Sequence, residues 1–113
     1  MSKRDHRLLL LDIKEASNKI IKYTTDLNLT TFQSDDKTID AVVRNFEIIG
    51  EAANHLGAEF KSEHNHIPWR KLIGFRNRIV HEYFGVDIEI VWSIIENDIE
   101  VLQFQIEEIL RDE

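Results

Sequence analysis

Arg76 and His81 are the residues of this 113-residue chain whose types best suit chemistry on a phosphodiester. An arginine stays charged at any working pH, and a histidine exchanges a proton near neutrality. Such a pair could cleave RNA without a metal. The imidazole would take the proton of a ribose 2′-hydroxyl or give one to the leaving 5′-oxygen, while the guanidinium neutralises charge gathering on the phosphoryl oxygens. Five residues apart on a helix, the two side chains point about 140° from each other, whereas Asn77 and His81, four apart, share a face, so Asn77 could orient the ring. One histidine does not easily act as base and acid at once. Two copies with apposed helices would bring two histidines and two arginines to one site. The plainer reading of the same residues has Arg76 and Arg78 solvated and His81 bonded locally, and spacing alone leaves both readings open.

Glu47 and Glu51 are four apart, so their carboxylates share a helix face and could pair with Arg76 or Arg78 or accept a proton. Arg44, three before Glu47, could bridge to it, and a structural salt bridge is the simpler role for the group. His55, His64 and His66 could in principle be assembled around a metal. Two of them fall in a polar connection without a carboxylate partner at fixed spacing, so no metal and no cofactor is expected. Trp69 and Trp92 could stack on bases, but their apolar surroundings predict core or interface instead. Gly50 weakens the helix it interrupts, which implies that another backbone or side chain approaches there.

The net charge is −7, and a generally acidic surface repels a phosphate backbone. The distribution is uneven, however. Trp69 to His81 holds Arg70, Lys71, Arg76 and Arg78 with no acid, a local +4 set against ten basic and twenty-one acidic side chains elsewhere, −11. The chain has no cysteine, which excludes disulfides, thiolate metal sites and cysteine nucleophiles. After Met1 to Arg7 come only four leucines, Leu8 to Leu11, too few for the apolar part of a signal peptide. No apolar run approaches the roughly 18 residues of a membrane span. A mature, cytoplasmic protein of one domain, residues 1–113, is the expectation.

The elements that must position these side chains are all helical. Leu9, Ile13, Ala16, Ile20 and Leu27, with Tyr23 or Thr24 between the last two, step by threes and fours, predicting a helix from about Asp5 to Leu27. A loop over 28–34 follows, and Asp35 or Asp36 then caps a second helix lined by Ile39, Val42, Phe46, Ile49, Ala53 and Leu56, closed by Gly57 in a left-handed conformation. Residues 58–67 lack a period and read as a surface loop. Pro68 and Trp69 open a third helix reaching Gly85, with Gly74 as a point where it could break. Asp87 caps a fourth, long and regular, on which Ile88, Val91, Ile95, Ile99, Leu102, Ile106 and Ile109 share a face. Four main helices with such connections predict an antiparallel up-and-down bundle. Leu8, Leu10, Leu11, Ile21, Ile48, Ile90, Trp92, Ile94 and Val101 lie off these seams, so they serve either a dimer interface or a broad core.

The string Ile67-Pro68-Trp69-Arg70-Lys71-Leu72-Ile73-Gly74-Phe75-Arg76-Asn77-Arg78-Ile79-Val80-His81-Glu82-Tyr83-Phe84-Gly85-Val86-Asp87 resembles the signature region of HepT-like toxins in the HEPN superfamily. It includes the arginine, four intervening residues, histidine, one residue and tyrosine. Arg44-Asn45-Phe46-Glu47-Ile48-Ile49-Gly50-Glu51-Ala52 resembles the family's second helix, so the likeness covers nearly the whole chain. It implies a ribonuclease with Arg76 and His81 as catalytic residues and Asn77 and Arg78 in support, in a cleft at a homodimer interface. It further implies a partner, a minimal nucleotidyltransferase antitoxin that attaches AMP to Tyr83. Bulky, anionic AMP beside Arg76 and His81 would block an RNA phosphate. The alternative is a HEPN module that binds a nucleotidyltransferase or a nucleotide without cutting RNA. A purely structural helical dimer would leave the concentrated positive charge unexplained.

Overall fold

Apolar steps of three and four set the first helix, α1 (Lys3–Thr24). It buries Leu10, Ile13, Ala16 and Ile20 in one stripe together with Ser17 and Thr24. The two hydroxyls reach the core because each donates back to its own helix, Ser17 to the Ile13 carbonyl at 2.8 Å and Thr24 to that of Ile20 at 2.7 Å. A computed structural model describes residues 3–81 and 87–112, with side chains for 5–78 and 87–112. Among these residues every regular element is a helix, as the periodicity predicts.

The number of helices differs from the sequence expectation of four. The segment expected as the first loop contains a short helix, α2 (Leu29–Gln33), started by reciprocal bonds between Asn28 and Thr31 and fixed by the fully buried Phe32. The next helix, α3 (Asp36–His55), begins where Asp35 accepts the Thr38 amide at 3.0 Å and the Thr38 hydroxyl at 2.7 Å. Those two bonds hold the Asp35 carboxyl below its ordinary value, the side-chain bond first. Gly57 is not left-handed: with φ −65° and ψ 151° it is extended and starts α4 (Ala58–Glu63) within the expected surface loop. Phe60 anchors α4 in the core, its ring 4.7 Å from that of His6 and 4.5 Å from that of His64.

Helix α5 (Trp69–His81) follows Pro68 and runs through Gly74 without a break. Asp87 caps α6 (Ile88–Asn97), its side chain accepting the Glu89 amide. The expected single long helix is divided at Asp98, after which α7 (Ile99–Asp112) continues. The apolar stripe crosses the division intact, from Val91 and Ile95 to Ile99, Leu102, Ile106 and Ile109, all buried.

Helix α1 packs on α3 and α7, α5 on α3, and α6 on α7 and α2. Arg7 donates to the Leu110 carbonyl at 3.3 Å and Gln103 to Asn18 at 2.5 Å, so α1 and α7 run antiparallel. Of the off-seam apolar residues, Leu10, Trp92 and Ile94 belong to the core, whereas Leu8, Leu11, Ile90 and Val101 are exposed. No helix among the described residues is long and apolar enough to cross a membrane.

Candidate active site

The site begins at a missing side chain. Where α3 meets α5, a Cβ on Gly50 would overlap the Arg76 Cβ and Cγ and come within 2.9 Å of the Leu72 carbonyl oxygen. Gly50 therefore opens the gap into which the Arg76 stem settles. Phe46 and Phe75 fix the same crossing, packed edge to face with centroids 5.0 Å apart.

From that seat the Arg76 guanidinium makes two contacts. Nη2 lies 2.5 Å from Glu51 Oε2, and Nη1 donates to Asn77 Oδ1 at 3.0 Å. The other Glu51 oxygen, Oε1, is 2.9 Å from His55 Nε2. The bond from His55, and after it the positive charge of Arg76, hold the Glu51 carboxyl below its ordinary value. Glu51 is thus ionised at neutral pH. The group is half open to water, with side-chain exposures of 27% for Arg76 and 48% for Glu51, so screening limits what the contact adds to stability. Its effect is orientation.

Arg76, Glu51 and His55 border one groove of about 380 Å³ between α1, α3 and α5, together with Leu9, Asp12, Arg44 and Glu47. The groove carries both charges, which suits a ligand with an anionic group and hydroxyl donors. A second hollow, of about 230 Å³, is lined by apolar side chains such as Phe46, Leu72, Phe75 and Leu102, with Lys71 and Asp98 also on its wall. Lys71 pairs with Asp98 at 2.9 Å.

The structure brings together Arg76, Asn77 and Glu51 from the residues predicted by sequence. Glu47 stands apart from the arginine, 4.0 Å from Arg44 as the spacing suggested, and Arg78 is exposed. Asn77 bonds Arg76. The backbone of His81 ends α5, but its side chain and the whole of Tyr83 lie outside the described residues. In the sequence, His55 stands out only as a possible metal ligand. Its spacing of four from Glu51 on one helix was the signal that tied it to this group. Trp69 and Trp92 are core residues, with Trp69 Nε1 donating to the His64 carbonyl at 3.0 Å and Trp92 packed on Phe32.

The chain is similar to known proteins over nearly its whole length. The family model described as "Ribonuclease HepT-like" matches residues 13–109. A Methanocaldococcus jannaschii protein named "Putative RNase MJ1380" is 36% identical over 107 residues, 95% of this chain and 98% of that protein. Another from the same organism, "Putative RNase MJ0127", is 38% identical over 112 residues, 99% of this chain and 93% of its own length. From Thermococcus cleftensis, "Probable ribonuclease HepT" is 39% identical over 107 residues, 95% of this chain and 97% of that protein. No solved structure gives a significant match. With nearly the whole chain aligned in each case, the protein belongs to the HepT-like ribonuclease family.

Proposed function

We propose that the chain is an endoribonuclease toxin that cuts RNA without a metal at a site shared by two copies in the cytoplasm. A minimal nucleotidyltransferase antitoxin silences it by attaching AMP to Tyr83. The observation that carries the reading is the seating of Arg76: in a chain of a ribonuclease family, the arginine of the arginine-histidine spacing is the one settled in the Gly50 gap and held by Glu51 and Asn77.

Cleavage uses the protein's own groups. An imidazole of His81 removes the proton of a ribose 2′-hydroxyl, and the 2′-oxygen bonds to the adjacent phosphorus. The bond from phosphorus to the 5′-oxygen breaks, and the leaving oxygen takes a proton from the second copy's histidine. Arg76 neutralises the charge on the non-bridging oxygens as it grows. Asn77 and Arg78 support it, and the products are a 2′,3′-cyclic phosphate and a 5′-hydroxyl. In silencing, the Tyr83 hydroxyl gives its proton to a base of the nucleotidyltransferase, its oxygen bonds to the α-phosphorus of ATP, and pyrophosphate leaves. The resulting anionic ester occupies the space an RNA phosphate needs.

The test is total RNA incubated in EDTA with the protein of verified unmodified mass and with His81→Ala prepared identically. Cyclic-phosphate ends that vanish in the variant are the expected result. Absence of cleavage by the unmodified protein would shift the assignment to a module that binds a nucleotidyltransferase or a nucleotide. Tyr83→Phe should remain toxic in cells that co-express the antitoxin, and rescue by the partner would remove Tyr83 as the control point.

A further inference from the structure

We infer that Glu51 is the positioning residue of Arg76: an α3 carboxylate, itself held by His55, that fixes the guanidinium where an RNA phosphate meets it. The inference rests on the ribonuclease reading above and adds a group to that site.

A long arginine side chain samples many rotamers, so a guanidinium meant to meet a developing charge gains from being ordered beforehand. Arg76 is ordered at both ends. Its stem fills the gap left by Gly50, and its Nη atoms are engaged by Glu51 and Asn77. Two of the five guanidinium N–H donors are thereby used, and three remain for phosphate oxygens. Glu51 is in turn prevented from swinging because His55 holds its second oxygen at 2.9 Å. The chain of contacts Asn77, Arg76, Glu51, His55 therefore locks a flexible cation to the frame of two packed helices.

A half-exposed ion pair adds little to stability, so an incidental surface contact is the competing explanation. Gly50 argues against it. Glycine inside a helix weakens the helix, and among the described glycines this is the one whose added Cβ would strike a neighbour: Gly57 would have an ordinary contact at 3.7 Å and Gly74 none within 4 Å. The gap admits Arg76 at the point where the next residue, Glu51, can take its guanidinium.

Two effects of opposite sign follow from a carboxylate in this place. It offsets part of the positive charge of Arg76, which weakens the pull on RNA in the ground state. It also holds the guanidinium in register with the reacting phosphate, which speeds the chemical step. Removing the charge while keeping the shape should therefore tighten binding and slow chemistry together. A residue that merely supported the fold would lower the melting temperature and the active fraction without tightening the binding of RNA.

The experiment measures kcat and KM of the full chain on a defined single-stranded RNA for wild type, Glu51→Gln and Glu51→Asp, each corrected for active fraction. In Glu51→Gln, kcat should fall about 10- to 100-fold, the scale of misplacing a catalytic group by an ångström or losing a supporting partner. KM should fall severalfold, and Glu51→Asp should recover part of kcat. A Glu51→Gln kcat within twofold of wild type overturns the positioning role. So does a lower kcat with unchanged KM and a lower melting temperature, which marks a structural residue. Wild-type protein that leaves RNA intact sinks the ribonuclease reading instead. NMR of the Arg76 guanidinium in the same variants then tests the seating alone: separate Nη1 and Nη2 signals in wild type that merge in Glu51→Gln support it, and merged signals in both overturn it.

Discussion

At the scale of single residues, the site depends on an atom that is not there. Replacing Gly50 with alanine would ordinarily strengthen α3 by about 1 kcal/mol. Here the added methyl meets the rooted part of the Arg76 side chain and a backbone carbonyl, neither of which can step aside cheaply. Overpacking of this kind costs about 1–3 kcal/mol, so Gly50→Ala should lower stability in urea by up to about 2 kcal/mol. A variant more stable than wild type would mean that α5 shifts freely against α3. The glycine was legible in the sequence as a sign of close approach, but its partner was not. Arg76 lies in a different helix, and which pair of residues meets at a crossing depends on packing that local spacing does not contain. His55 shows the reverse case: its partner Glu51 is one helical turn away, a spacing that local sequence does contain.

At the scale of elements, the long helices were legible because each repeats its apolar step several times. The short ones were not. Helix α2 offers a single buried residue, Phe32, and α4 a single one, Phe60, so neither segment contains a period to detect. Their capping signals, Asn28 with Thr31 and Gly57, read equally well as turns. The division at Asp98 was hidden for a different reason: no glycine or proline marks it, the apolar stripe continues across it, and the Asp98 carboxylate that Lys71 holds comes from a residue type common on any helix surface. If α2 is a structural plug, truncating its one buried ring should be expensive. Phe32→Ala is expected to cost about 3–5 kcal/mol, measured by denaturant unfolding. A loss below about 1 kcal/mol would return 28–34 to the surface loop that its composition suggested.

At the scale of the molecule, the concentrated positive charge of 69–81 is partly answered from other helices. Glu51 faces Arg76 and Asp98 faces Lys71, while Arg70 and Arg78 are exposed. The +4 visible in the sequence is therefore smaller as a local field, because its neutralising acids come from distant positions. Each phosphate contact to single-stranded RNA contributes about −0.7 to the slope of log affinity against log salt. Arg78→Ala should flatten that slope by about 0.7 if Arg78 meets a phosphate, and Lys71→Ala by much less. Equal effects would show that the Lys71 to Asp98 pair opens in the complex. The pairing of the first and last helices has a further consequence, for synthesis. Arg7 bonds Leu110 and Asn18 bonds Gln103, contacts that span 103 and 85 positions. On a ribosome, α1 emerges before the α7 partners that lie 85 to 103 positions later, so the seam between them closes only once α7 has followed it out.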